Sequence, residues 1–380
     1  RSVYGQAGAA FPKRETVDGI DVIRVGAAKF GKRSMFLRLL DYNLFFVRVV
    51  LRSLLVSRPD VVIGLTTPPF IVLAGVLLRI LRRNRCIYWV MDLYPDIPVA
   101  MGLIPRDGLL ARFFEKLNRW CMRRSDQVVV LGRCMEERVL QKGIPARQVT
   151  RIGPWPAHVP AQQDREAGPD NAFRREWNLN RKFVVMYSGN LGLAHDAQTF
   201  LEATRKLAGH DHIRFVFVGG GKRMTGLNHY LARHNLTNVQ VHPYQPRSRL
   251  GELLSMPDVH LISQLDSFVG MVVPSKLYGI MAAGRPAIFV GPEAAEVARQ
   301  IKDSDCGQTI PVGQADALCA TIERLADDRQ QCQAMGQHAL KAAMEEHNVE
   351  MRCAAWEKLL LEVTSRRHQA ADKHRSVDTR

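Results

Sequence analysis

The sequence predicts an α/β protein: two doubly wound, parallel-stranded domains facing each other across a cleft. Short runs of β-branched residues alternate with longer helical patterns through almost the whole chain, the pattern of βαβ units. Several strand candidates are continuous apolar runs, as strands covered by helices on both faces require. A stretch rich in proline, glycine and charge, Gly153–Phe173, divides the strands into two sets and marks a domain boundary.

In the first half the strand candidates are Asp21–Val25, Asp60–Leu65, Cys86–Met91, Gln127–Leu131 and Val149–Gly153. A helical pattern covers Ser34–Ser57. Its Arg38, Asp41, Arg48 and Arg52 share one side, and nearly everything else on it is apolar. That apolar arc is wider than one sheet needs. Two readings fit, burial beneath another part of the protein or insertion at a membrane interface with arginines at the headgroups. The run Arg79–Arg85 closes a helix with cations that complement its dipole, or meets lipid or acceptor phosphate.

The second half supplies Phe183–Ser188, Arg214–Gly219, Val239–His242, Asp258–Ser263 and Pro286–Val290. The expected organisation is a first domain over 1–155, a linker over 156–178 and a second domain over 179–345. A helix over 346–365 should return to the first domain, and 366–380 should be a disordered tail, since it shows no apolar periodicity.

The chain has 380 residues, 46% apolar and 24% charged, as in a soluble globular protein with room for two cores. No apolar run is long enough to span a bilayer. Seven cysteines without a C-x-x-C pair and no secretory signal suit reduced thiols in a cytoplasmic setting. Net charge is +16, and residues 1–155 hold 26 Lys and Arg against 12 Asp and Glu. The basic half is expected to face something anionic, be it a phospholipid surface, a phosphorylated acceptor or a nucleic acid, the alternative being a solubilising surface with no partner. A nucleic acid is disfavoured because no aromatic-basic recognition motif appears.

Three strand ends in the second half run into turns suited to phosphate. Tyr187–Asp196 follows one strand, Val218–Met224 the next, and Val272–Lys276 opens a helix of about ten residues. Glycine lets the backbone approach an anion, and a helix start offers free N–H groups. At the helix mouth Pro274 suits the first turn, Ser275 can cap or donate, and Lys276 brings a mobile charge. Gly284 and Pro286 then end the helix. The expected ligand is a diphosphate. Neither G-x-x-x-x-G-K-[ST] nor G-x-G-x-x-G occurs at these loops, which argues against a P-loop NTPase and a dinucleotide oxidoreductase.

The segments VMDLYPDIPVAMGLI, VVMYSGNLGLAHD, FVFVGGG and VVPSKLYGIMAAGRPAIFVG, in that order, resemble the retaining family 4 glycosyltransferases of GT-B architecture, two Rossmann-like domains around a cleft. The likeness is to the bacterial colanic acid or O-antigen fucosaminyltransferase-like subgroup. It implies transfer from a UDP- or GDP-linked sugar, with retention and with no cofactor or metal. The implied acceptor is a polyprenyl-diphosphate-linked saccharide at the inner-membrane surface, in exopolysaccharide or O-antigen synthesis by a peripheral enzyme. By the same resemblance Gly189, Asn190 and Gly192 lie under the donor phosphates, Gly220, Gly221 and Lys222 line a second loop, and Ser275 and Lys276 hold the leaving diphosphate. His242–Pro246, with Tyr244, meets the base, and Asp92 orients acceptor or sugar. Catalytic weight falls on Asp92, Lys276 and Asn190.

Two departures stand out. The family's paired glutamates map to Met271 and Gly279, its subgroup glutamate to Val269, and Asn190 and His195 replace basic residues. The family's opening strand, glycine-rich loop and helix do not precede Arg1, so the first sheet is expected to lack a central strand. An inactive structural partner, or a nucleotide-sugar epimerase or hydrolase, therefore stands as the alternative. Lys302–Cys306 contains a D-x-D read as a solvated turn. His210 and His212 lack a third metal ligand nearby in sequence, and Pro95 keeps Asp92 and Asp96 off one continuous helix.

Overall fold

The computed structural model describes residues 12–26, 35–166 and 168–377, without the side chains of 35, 36, 38, 39, 169 and 366–377. A hairpin of β1 (Arg14–Val17) and β2 (Ile20–Ile23) comes first, followed by α1 (Met35–Leu55). The first domain continues with β3 (Val61–Gly64), α2 (Val72–Arg82), β4 (Arg85–Trp89), α3 (Asp96–Ala100) and α4 (Leu109–Arg124). β5 (Gln127–Val130), α5 (Arg133–Gln141) and β6 (Val149–Arg151) complete it. Its sheet is parallel, in the order β3-β4-β5-β6.

Short helices α6 (Gln162–Glu166) and α7 (Ala172–Glu176) precede the second domain. It contains β7 (Phe183–Asn190), α8 (Gln198–Lys206), β8 (Ile213–Gly220), α9 (Met224–Arg233), β9 (Val239–His242), α10 (Leu250–Ser255) and β10 (Val259–Ser263). Then come α11 (Lys276–Ala282), β11 (Ala287–Val290), α12 (Glu296–Ser304), β12 (Gly307–Ile310), α13 (Ala315–Asp327), α14 (Arg329–Glu345) and α15 (Val349–Val377). The second sheet is parallel with order β12-β11-β10-β7-β8-β9, the doubly wound order whose reversal falls between β7 and β10.

Strand alternation fills both faces of this sheet. Phe183, Val185 and Tyr187 of β7 join Phe215 and Phe217 of β8 in one core, while Val184, Met186, Val216 and Val218 enter the opposite one. The first sheet does the same. Tyr88 and Val128 face one side, and Ile87 and Val129 pack with Leu359 and Val363 of α15. The C-terminal helix thus crosses back to cover the first domain.

Several elements differ from expectation. The Asp21–Val25 candidate lies outside the parallel sheet. Asp18 and Gly19 both have positive φ (49° and 79°) and close an antiparallel hairpin, as an Asp-Gly turn does. The linker is partly built, with Phe173 fully buried and Arg174 bonded to Asp258. The segment 366–377, expected to be disordered, continues the backbone of α15, because no Gly or Pro interrupts it. α1 keeps Leu40, Val47, Leu51 and Leu55 exposed, so it is not enclosed among the described residues. The Arg38 side chain lies outside them.

The domains meet through a shared core. Phe268, Met271 and Val273 of the second pack with Leu93, Ile97 and Met135 of the first, and Leu93 N–H donates to the Met271 carbonyl at 2.9 Å. At Gly270 (φ 73°) a Cβ would stand 2.6 Å from the Cys134 carbonyl, so only glycine allows this approach. Glu296, 3% exposed, accepts from the Arg133 N–H at 2.6 Å and pairs with its guanidinium. It therefore caps the start of α5 from the other domain, where Gly132 offers no side-chain cap. Asp303 pairs with the same arginine at 2.6 Å. The D-x-D segment is thus the solvated end of α12, with Asp303 in its last turn and Asp305 in the left-handed turn that closes it, and Asp303 also reaches across the domain junction.

Candidate active site

The carboxyl ends of β7 and β8 carry the glycine loops. Tyr187 O–H donates to the Asn190 carbonyl at 3.1 Å, and Leu191 N–H donates to the Gly220 carbonyl at 2.7 Å, tying the loops together. Gly221 has φ 129°, and a Cβ there would come within 2.5 Å of the Leu191 carbonyl. The Tyr244 ring lies over the second loop, within 3.2 Å of where a Gly219 Cβ would stand.

Between these loops, the start of α11 and the incoming linker is a cavity of about 290 Å³. Gly189, Ser275, Lys276, Gly279 and Tyr244 line it, as do Trp155 and His158 of the linker. Among its described lining residues there is no carboxylate. It opens at the carboxyl side of β7, beside the strand-order reversal, where sheets of this kind hold ligands.

Lys276 dominates the electrostatics. Its stem is partly exposed, but Nζ is buried with no hydrogen-bond partner. The ammonium stands 3.8 Å from the Tyr187 ring centroid, a cation–π contact. Burial pushes its pKa down to about 7. Nearby, His195 Nδ1 lies 2.6 Å from the Ser263 carbonyl, which makes Nδ1 the donor of a neutral ring. Burial, with the Lys276 charge second, pushes this histidine down to about 4. The Lys276 ammonium is thus buried, with no hydrogen-bond partner, beside a neutral imidazole.

The sequence-derived residues divide accordingly. Gly189, Ser275, Lys276 and Tyr244 line the cavity, whereas Asn190, Gly192, Gly220, Gly221, Lys222, Pro274 and Asp92 do not. Asn190, Gly192 and Gly221 form the loop contact, since the Asn190 side chain lies against both glycines. Lys222 is exposed, while Arg223 is half-buried and reaches the Leu193 carbonyl at 3.4 Å. The sequence offered two adjacent cations, and the turn after Gly221 aims the second at the β7 loop. Ser275 has helical φ and makes no side-chain cap bond. Pro274 stands before it, so the helix is shorter than expected and proline is not its first residue.

Asp92 follows β4 on the first-domain side. Its N–H donates to Thr66 Oγ1 at 3.3 Å, and burial raises its carboxyl pKa. The neighbouring Thr67 belongs to a second cavity, of about 250 Å³, walled by Tyr42, Phe45 and Arg48 of α1. Met271, where the family has an acid, is buried in the domain junction instead. Trp155 and His158 carried no recognisable signal, because only the path of the linker brings them to the cavity.

Two family models tile the chain. The model "Glycosyl transferase 4-like domain" matches residues 2–155, and "Glycosyl transferases group 1" matches 170–342. A Pseudomonas aeruginosa protein named as a probable glycosyltransferase, WbjE, is 26% identical over 75% of this chain and 70% of its own length. WcaI of Escherichia coli (strain K12), provisionally named a colanic acid biosynthesis glycosyl transferase, is 28% identical over 63% of this chain and 59% of its own length. Anabaena Alr3699/HepE, solved in complex with UDP and glucose, superposes with a TM-score of 0.68 at 14% identity, covering 84% of this chain and 81% of that one. At that identity the superposition speaks for the fold. The chain belongs to the family 4 glycosyltransferases of GT-B architecture, of the colanic acid and O-antigen type.

Proposed function

We propose that the chain is a retaining, metal-independent glycosyltransferase of cell-surface polysaccharide synthesis, using a nucleoside diphosphate sugar as donor. One observation carries this reading: the buried, unpartnered Lys276 ammonium beside Ser275 and Gly189 at the β7–β10 reversal. A diphosphate placed there supplies the missing counter-charge. As the anomeric C–O bond breaks, charge gathers on the leaving phosphate oxygen, and Lys276 with the loop N–H groups stabilises it in place. The leaving phosphate oxygen takes the bonding electron pair, and the acceptor hydroxyl attacks from the same face and passes its proton to that oxygen. No carboxylate lines the cavity among the described residues, which favours same-face attack over a glycosyl-carboxylate intermediate. UDP is the first candidate nucleotide, since HepE is solved with it.

The acceptor is proposed to enter from the first domain, past Asp92 and the cavity beside α1, as a lipid-linked saccharide at a membrane surface. No helix among the described residues is long and apolar enough to cross a bilayer. On α4, Leu109, Phe113, Lys116 and Trp120 fall on one face, with Leu109 85% and Phe113 59% exposed. Arg112, Arg123 and Arg124 flank it. An apolar stripe rimmed by cations suits an anionic interface. The sequence reading looked to α1 and to Arg79–Arg85 for a lipid contact, and not to α4. Calorimetry with UDP, GDP and ADP, with EDTA and then with magnesium, tests the donor site. One nucleotide should bind saturably without metal. If none does, and no sugar moves to a polyprenyl-diphosphate saccharide, the reading fails.

A further inference from the structure

A larger cavity than the one at Lys276 is present among the described residues. It occupies about 940 Å³ at the opposite end of the second sheet, where Lys182, Asp258 and Pro286 stand at the amino ends of β7, β10 and β11. The first turns of α14 form one wall, and the turn after α11 packs against them. A Cβ on Gly336 would stand 2.4 Å from the Gly284 carbonyl.

Six cations line the cavity, Arg165, Arg174, Arg181, Lys182, Arg285 and Arg329, against two carboxylates, Glu166 and Asp258. Asp258 is already committed. It pairs with Arg174 at 2.8 Å and Arg329 at 2.7 Å, and accepts from Val184 N–H at 2.7 Å. Glu166 accepts from Gln162. Arg285 is half-buried and donates to the carbonyls of Ser255 and Arg165, with no carboxylate among those partners. Arg181 holds a left-handed backbone (φ 61°) at the rim. Positive charge is thus gathered in a concavity and left largely uncompensated, as in sites that concentrate anions. Guanidinium groups suit phosphate oxygens through their forked donors.

We infer that this rear cavity is a second binding site, for a small soluble polyanion carrying two or more phosphates. Its volume falls in the range of small-molecule sites. Among the described residues, none of the large exposed apolar side chains lines it, so it lacks the greasy rim of a membrane-docking surface. The donor cavity is separate: α11 lies between, with Lys276 and Gly279 lining one and Ala283–Arg285 the other.

The test is calorimetry of the whole chain with inorganic tripolyphosphate. The natural chain should show a saturable rear site besides any occupancy of the Lys276 cavity, and in Lys276→Met that rear site should persist. Charge reversal at the rim, Arg181→Glu with Lys182→Glu, should weaken it at least tenfold while leaving the thermal midpoint in place. If reversal unfolds the chain, Arg329→Gln provides the same comparison. Equal affinity in the folded rim variants would overturn the site, as would loss of binding in Lys276→Met. Displacement of the tripolyphosphate by phosphatidylglycerol vesicles would assign the phosphate to lipid headgroups and overturn a soluble ligand.

Discussion

Replacing Lys276 by Met should stabilise the protein and disable it together. The ammonium falls from an ordinary 10.5 to about 7 on folding, a difference worth about 5 kcal/mol at 1.36 kcal/mol per pH unit. A lowered lysine pKa means that the unfolded chain binds more protons between pH 7 and 10.5. The penalty is therefore full below pH 7, and stability rises with pH across that window. At pH 7 the cost is on the order of 4 kcal/mol, and at pH 9.5 about 1 kcal/mol remains by the same linkage. The lost contact with the Tyr187 ring, 3.8 Å from Nζ, returns up to about 2 kcal/mol of this. Urea unfolding at both pH values should show Lys276→Met gaining midpoint at pH 7 and losing most of that gain at pH 9.5. The same variant should lose about 1.5–3 kcal/mol of nucleoside diphosphate affinity, the worth of a bond to a charged group. Equal stability at both pH values, with unchanged nucleotide binding, would refute the assignment of a strained, ligand-seeking cation.

Three other expectations follow from the geometry. Glu296→Gln should cost about 1–3 kcal/mol, because its buried oxygens meet the Arg133 N–H and guanidinium; an unchanged urea midpoint would make the domain clamp ornamental. Burial leads the lowering of His195, His260 and His347 to about 4. Each then takes up a proton on unfolding between about pH 6.5 and 4, so stability should fall as pH drops through that range, and a flat profile would contradict their burial. Leu109→Ser with Phe113→Ser should reduce sedimentation with phosphatidylglycerol liposomes at least as much as Arg48→Gln with Arg52→Gln. The reverse ranking would move the membrane contact from α4 to α1.

Local pattern carried most of the architecture. The continuous apolar runs of β7 and β8 and the turn chemistry at Gly189, Gly221 and Ser275 are properties of a few consecutive residues, and they led to the cavity holding Lys276. The Asp18-Gly19 hairpin was written there too, but it was read as part of the sheet. Neighbouring residues of like chemistry could not be ranked. Lys222 and Arg223 differ only in where the turn ends, and tertiary structure turns the second inward.

What the sequence by itself determined is the class of fold, the order of the loops and the helix mouth with its lysine, because periodicity and backbone freedom act over a few residues. Only the tertiary structure decided that Glu296 caps a helix 163 residues away. It also decided that α15 returns to Ile87 and Val129, that α4 shows Leu109 and Phe113 to solvent, and that six scattered cations share one rear cavity. Those outcomes depend on contacts between distant segments, which a one-dimensional pattern does not encode.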